Sequence, residues 1–234
     1  MCRFCSRACE DMAALRDVPA GSPSYLLASV DGFRILSDNA PLVPGHVLIV
    51  PDEHVKSFAS LEPARLAAAS QLVDRLRDAW TDRFTHPALV FEHGTGGHDD
   101  HLDCCLDHAH LHLLPSAVRI DGWFSERSVP LLSRVTSLAD LAGLAGRDHV
   151  FVWGSPAGRP GAVAPEAGWV WDADGLPSQL CRRLIGEGQG DGIWNWQDRI
   201  LLASPDEYLD LINANLTAAT EALAPLDLRA GASV

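Results

Sequence analysis

Apolar residues follow two different periods along this chain. Residues 25–30 and 33–36 are short apolar runs split by Asp31-Gly32, a dipeptide that closes β-hairpins. The Pro-Leu-Val-Pro-Gly segment at 41–45 turns the chain again, and the run at 46–50 stops at Pro51. These segments predict a three-strand meander. Over residues 62–84 the period lengthens. Leu66, Ala69, Leu72, Val73, Leu76 and Trp80 recur at steps of three and four, with Arg65, Asp74, Arg75 and Asp78 falling elsewhere, which predicts an amphipathic helix. Residues 87–92 read as a further strand, 93–103 as a Gly/His/Asp loop, and 107–114 as a strand that Pro115 ends.

The second half is less regular. A short helix is expected at 137–144, and strands at 149–153 and 168–171 around the Gly/Pro/Ala-rich stretch 154–167. Residues 177–185 read as a helix with Leu180, Leu184 and Ile185 in the core. Arg182 and Arg183 are expected on its solvated face, the alternative being contact with an anionic substrate. Trp194 and Trp196 straddle Asn195 as a strand-like packing pair. Ser204-Pro205-Asp206-Glu207 joins a capping residue, a first-turn proline and a glutamate three after the cap, so a helix to about residue 222 should follow, with 225–234 as a tail.

With 234 residues and 47% hydrophobic content, the chain can bury a large core. No apolar run approaches the roughly 18–20 residues that cross a bilayer, so no membrane association is expected. Met1-Cys2-Arg3-Phe4-Cys5 lacks the apolar core of a secretory signal, which points to the cytoplasm. The net charge is −13, and Lys56 is the only lysine. That balance disfavours a surface that tracks the phosphates of long DNA or RNA but leaves room for a local basic pocket. The six cysteines then read as reduced thiols or a metal site rather than disulfides. Of ten histidines, nine lie between His46 and His112, which locates the chemistry.

The densest part of that cluster is His108-Ala109-His110-Leu111-His112-Leu113-Leu114. On a strand the three histidines would share one face, with Ala109, Leu111 and Leu113 on the other. Three imidazoles in a row make poor core filler. Either they hold a catalytic metal, or one is a nucleophile and the others orient it or move protons.

His-x-His-x-His followed by two hydrophobic residues resembles the signature of the histidine triad (HIT) superfamily of nucleotide hydrolases and transferases. The Pro-Gly-His segment at 44–46, feeding the run that ends at Pro51, is similar to the family's second motif, and the intervening helix lies where expected. The resemblance covers about residues 1–118. It implies an α+β, HIT-like fold: an antiparallel sheet with a long helix packed on it, followed at 119–234 by an α/β extension that packs on this domain. It also implies that His110 is the nucleophile on an α-phosphorus, that His112 contacts the phosphoryl oxygens, and that His46 supports them. Asp38 falls at the family's ribose-binding position and Leu36 where an apolar side chain packs on the nucleobase. Two positions depart from the pattern. Glu92 stands where an amide usually helps to hold the phosphates, and would repel them unless protonated or paired with His93 or an arginine. Cys105 stands where Ser or Thr donates to the leaving group, and a thiol is a weaker donor.

Cys2-Arg3-Phe4-Cys5 alone is weak: a redox motif, a metal half-site or chance. Related galactose-1-phosphate uridylyltransferases combine such a pair with two histidines, which correspond here to His54 and His108. The resemblance therefore implies a structural zinc site of Cys2, Cys5, His54 and His108, with Cys9 as the rival ligand. Unlike those transferases, this chain keeps histidine at position 112, which favours hydrolysis of the nucleotidyl-histidine. The expected partner is a nucleotide or nucleotide conjugate, with a homodimer left open. A zinc-dependent hydrolase using the triad as catalytic ligands, and a catalytically inactive nucleotide-binding module, are the competing readings.

Overall fold

The computed structural model describes residues 2, 4, 5, 24–96, 108–154 and 168–228. Strands β1 (Leu26–Val30), β2 (Phe33–Ser37) and β3 (Val47–Pro51) form the expected meander. Its first turn holds Asp31 at φ 49° and Gly32 at φ 74°, the left-handed pair that a tight hairpin requires. Helix α1 (Pro63–Arg83) follows, with its proline in the first turn, then β4 (Ala88–Gly94) and β5 (Leu111–Pro115). The strand carrying the triad is shorter than its pattern suggests: His108 and His110 precede it, and only His112 lies within it.

The remaining elements are α2 (Asp121–Glu126), β6 (Leu131–Val135), a 3₁₀ helix at Leu138–Leu144, β7 (His149–Trp153), β8 (Gly168–Asp172), α3 (Leu180–Gly188), α4 (Trp196–Leu202) and α5 (Pro205–Leu223). The capping box that announces α5 is formed between Ser204 and Glu207. Helix α2 and strand β6 escaped the pattern; β6 is an edge strand whose half-exposed residues do not alternate cleanly. Trp196 opens a helix instead of pairing with Trp194 in a strand. The Asn195 side chain accepts from the backbone N–H groups of Gln197 and Asp198, and that cap outweighs aromatic spacing.

The eight strands among the described residues form one antiparallel sheet in the order β1-β2-β3-β5-β4-β7-β8-β6. Strand β7 pairs with β4, so the sheet runs unbroken from the first half of the chain into the second. One face carries Phe33, Ile35, Val47, Ile49, Val90, Leu111, Leu113 and Phe151 and packs under α1, the 3₁₀ helix and the end of α5. On the opposite face Leu89, Phe91, Leu114, Val150 and Trp171 pack against Leu180 and Ile185 of α3. Beside them Leu36, Leu48 and Val50 pack against Phe4. No described helix is long and apolar enough to cross a membrane.

The loop between β2 and β3 is held by α5. Asn215, fully buried, accepts from the backbone N–H groups of Gly45 and His46, both at 2.8 Å. Its amide donates to Ser37 Oγ at 2.8 Å, to the His46 carbonyl at 2.9 Å and to the Asp38 carbonyl at 3.3 Å. The Gly45 carbonyl accepts from Trp80 Nε1 at 2.7 Å. Gly45 itself sits at φ 89° with the Phe84 ring where a Cβ would be, so no other residue fits. Replacing Asn215 with alanine orphans two buried N–H groups and is expected to destabilise the fold by about 3 kcal/mol. Urea denaturation, read as a lower midpoint with unchanged slope, checks this.

Candidate functional site

Neighbouring strands bring His112 into an aromatic stack. Both Leu48 and Phe91 lie directly across from it, on β3 and β4, and the Phe91 and His112 rings stack at 4.4 Å with planes 13° apart. Along β4 the side chains alternate, so Phe91 and His93 face this side and Glu92 the other. An open cleft of about 1100 Å³, solvent included, lies on this face. Leu36, Leu48, Phe91, His93, His110 and His112 line it from the sheet, Phe4 from the N-terminal segment, and Gln179, Arg182 and Trp196 from the second half of the chain.

Hydrogen-bond partners assign the histidine tautomers. His110 Nδ1 lies 2.9 Å from the His108 carbonyl, which can only accept, so Nδ1 carries the proton and Nε2 the lone pair. His46 Nδ1 accepts from the Leu42 N–H at 3.2 Å, which leaves the proton on Nε2. That Nε2–H reaches His112 Nδ1 at 3.0 Å, so His112 keeps its own proton on Nε2. Burial dominates all three rings and lowers each to a pKa of about 4, so they are neutral at physiological pH.

Asp38 lies beneath the His46–His112 pair and is 2% exposed. Its Oδ1 accepts from the Ala40 N–H at 2.7 Å and its Oδ2 from Arg182 Nη1 at 2.9 Å, with His46 Nε2 at 3.4 Å and His112 Nδ1 at 3.6 Å. Burial alone would raise this carboxyl, but the imidazoles and the guanidinium hold it well below the usual carboxylate range. Asp38 lines the cleft, and a ribose diol there would share these oxygens with the partners they already have. Asp38, His46 and His112 are close enough to be considered as ligands for one ion. With a proton between the two rings and a guanidinium on the carboxylate, they form a satisfied hydrogen-bond network instead. Arg182 is thus 4% exposed rather than on a solvated face, where Arg183 does lie.

Cys2, Cys5, His54 and His108 converge on one point at the edge of the cleft. His54 and His108 Nδ1 are 3.3 Å apart, Cys5 Sγ is 3.2 and 3.5 Å from them, and Cys2 Sγ is 3.5 Å from His108 Nδ1. A tetrahedral ion with ligands at about 2.0–2.3 Å separates its donor atoms by about 3.3–3.8 Å, so the four fit zinc. His108 Nε2 is 2.8 Å from the Pro51 carbonyl, which puts its proton there and frees Nδ1 as a ligand. Between the two cysteines, Phe4 is 1% exposed and its ring meets those of His108 and His110 at 5.5 and 5.7 Å.

Glu92 does not line the cleft. On the α1 side of the sheet its Oε1 accepts from the Phe58 N–H at 2.8 Å, and its Oε2 lies 3.5 Å from His149 Nε2. His149, fully buried on β7, donates from Nδ1 to the Arg147 carbonyl at 2.9 Å. Burial opposes its charge, but Glu92 and that carbonyl outweigh burial and raise its pKa above the ordinary value. The expected partner, His93 or an arginine, is therefore replaced by a histidine from the second half of the chain. Cys105, Cys9, His98 and His101 lie outside the described residues. Leu36 is where an apolar wall was expected, at 2% exposure against Phe4. Sequence reasoning placed Arg182 on a solvated face, with an anionic substrate as the alternative, and gave no role to Asn215 or His149. Only Arg182 left a signal, as a cation at the start of a helix in an acidic chain.

The HIT domain family model matches residues 20–118. Among solved structures, the chain matches a hypothetical histidine triad nucleotide-binding protein from Sulfolobus tokodaii strain 7, at 20% identity and a TM-score of 0.35, covering 49% of this chain and 68% of that one. A zinc-bound histidine triad family protein from Mycobacterium smegmatis is similar at 20% identity and 0.36, covering 49% and 73%. A uridylyltransferase matches over 86% of this chain and 93% of its own, at 13% identity and 0.43.

Because His149 gains affinity for its proton on folding, the Glu92–His149 pair contributes fully below about pH 6.5 and less as pH rises through the raised value. The stability difference between wild type and His149→Gln should therefore shrink as pH rises above about 6.5. Urea midpoints of both proteins across that range check the sign.

Proposed function

We propose that this chain, whose residues 20–118 match the HIT domain model, is a histidine triad protein that cleaves a nucleoside 5′-phosphoryl bond through a nucleotidyl-His110 intermediate. One observation carries this reading: His110 Nδ1 is bound to the chain's own carbonyl, so the lone pair of a neutral imidazole is left on Nε2 in a residue that lines the cleft. Nε2 attacks the α-phosphorus. The N–P bond forms as the bond to the leaving group breaks, and the leaving group departs with its electron pair and takes up a proton. Water then attacks phosphorus, the N–P bond breaks with its electrons returning to Nε2, and a nucleoside monophosphate is released.

His112 is the donor to the phosphoryl oxygens. With Nδ1 accepting from His46, its Nε2–H is available for the charge that develops on the transferring group. A neutral donor costs no competing ion pair with Asp38. The nucleobase packs on the apolar wall of Leu36 and Phe4. Substrates of this chemistry are nucleoside phosphoramidates, acyl nucleotides and dinucleoside polyphosphates. The three triad rings have three separate partners, the Pro51 carbonyl, the His108 carbonyl and His46, which weighs against a metal held by all three.

Zinc on Cys2, Cys5, His54 and His108 would cross-link the N-terminal segment to β3 and β5 and so hold Phe4 against His110. Its part is structural, because all four positions of the tetrahedron are filled by protein.

His110→Ala is expected to abolish turnover and the covalent adduct while leaving the melting temperature unchanged. Acid quenching and mass spectrometry with a panel of adenylylated and guanylylated compounds reads both; near-normal activity in the variant would sink the mechanism. Chelation should lower the melting temperature by several degrees, with zinc restoring it. Full activity loss without destabilisation would instead mark a catalytic metal.

A further inference from the structure

Arg182 reaches the site from α3, far from the HIT domain in sequence, and every arm of its guanidinium is engaged. Nη1 donates to Asp38 Oδ2 at 2.9 Å, Nη2 to the Ala40 carbonyl, and Nε to the Trp194 carbonyl at 3.3 Å. Asp38 Oδ2 in turn lies 3.6 Å from His112 Nδ1, the atom that accepts from His46 Nε2 at 3.0 Å.

His112 Nδ1 therefore has two rival partners of opposite demand. His46 offers it a proton and needs a lone pair there. A buried carboxylate at Asp38 accepts only, and needs Nδ1 to carry the proton. If Asp38 wins, the neutral His112 ring turns its lone pair, not its proton, toward the phosphoryl oxygens. The cation on Oδ2 draws the carboxylate's charge toward itself and leaves His46 as the partner of Nδ1.

We propose that Arg182 is a positioning residue of the nucleotidyl-transfer site: by holding Asp38 it decides that His112 carries its proton on Nε2, facing substrate. This rests on the reading of His110 and His112 above and extends it to the second half of the chain, which becomes part of the catalytic apparatus rather than an appendage. It also gives Asp38, which lines the cleft, a task besides contact with substrate.

The test uses the full-length protein labelled with ¹⁵N-histidine, since imidazole ¹⁵N shifts separate the two neutral tautomers without substrate. Wild type is expected to show His112 protonated on Nε2, and Arg182→Met to show it protonated on Nδ1. With adenosine 5′-phosphoramidate as probe, Arg182→Met should lose kcat by about 100-fold with KM little changed, the size of a misdirected proton donor. Asp38→Asn/Arg182→Met removes the carboxylate's charge together with its partner. It should return His112 to the Nε2–H form and regain most of the lost kcat, which loss of packing alone would not do. Arg182→Gln, neutral but still a donor, gives the same spectral answer should Arg182→Met not fold.

An unchanged His112 tautomer in the folded neutral variant overturns the proposal. So does a loss confined to KM, which would return Asp38 to the sugar. The spectra are recorded on the unliganded protein. They decide the role of Arg182 even if His110→Ala shows that the covalent mechanism is wrong.

Discussion

Asp38 is a charge without access to water, and both halves of the chain are arranged around that fact. An uncompensated buried carboxylate costs several kcal/mol, so the fold must bring it a cation and hydrogen-bond donors. Arg182 supplies the first and the Ala40 N–H one of the second. For the guanidinium to arrive, α3 has to lie across the face of the sheet that bears the histidines. Its Leu180 and Ile185 make that placement favourable by packing on Leu89, Phe91 and Trp171. The loop that carries Asp38 and His46 has to stay in place as well, and Asn215 of α5 binds its backbone at four points and the Ser37 hydroxyl beside it at a fifth. The geometry of the histidine cluster thus depends on two helices outside the matched domain.

The central position of β5 does the rest. Flanked by β3 and β4, it presents His112 between Leu48 and Phe91, and it leads the preceding residues out past the end of the strand. His110 can then fold its Nδ1 onto the His108 carbonyl, and His108 can turn to the cysteines. A strand extended through all three would have left the rings parallel, with the same partner for each. The three different partners of the three rings come from ending the strand early. Across the same sheet, the Glu92–His149 pair ties β4 to β7 on the face away from the cleft.

Much of this was legible in the residues. Asp31-Gly32 marks its hairpin because few other dipeptides tolerate two left-handed residues, and Ser204 with Glu207 marks α5 because the capping box is local chemistry. The apolar stripe of α1 and the triad itself are equally local patterns. Glu92 was misread for the opposite reason. Whether it or His93 faces the cleft depends on the register of β4 against β5, and a shift of one residue exchanges the two faces. Trp194 and Trp196 have the spacing of a strand pair, and the Asn195 cap between them turns the chain into a helix instead.

By itself, the sequence determined the kinds of groups present and the short-range structure that carries them: the triad, the cysteine pair, the turn before His46 and the helix between the motifs. These are set by periodicity, capping and turn stereochemistry, which act over a few residues. Only the tertiary structure decided that Arg182 neutralises Asp38, that His149 takes Glu92, and that Asn215 holds the His46 loop. Each of those pairings joins residues between 57 and 178 positions apart. They form because a buried charge or backbone group must find its complement wherever the packed chain brings one within reach, and no local pattern records which one that is.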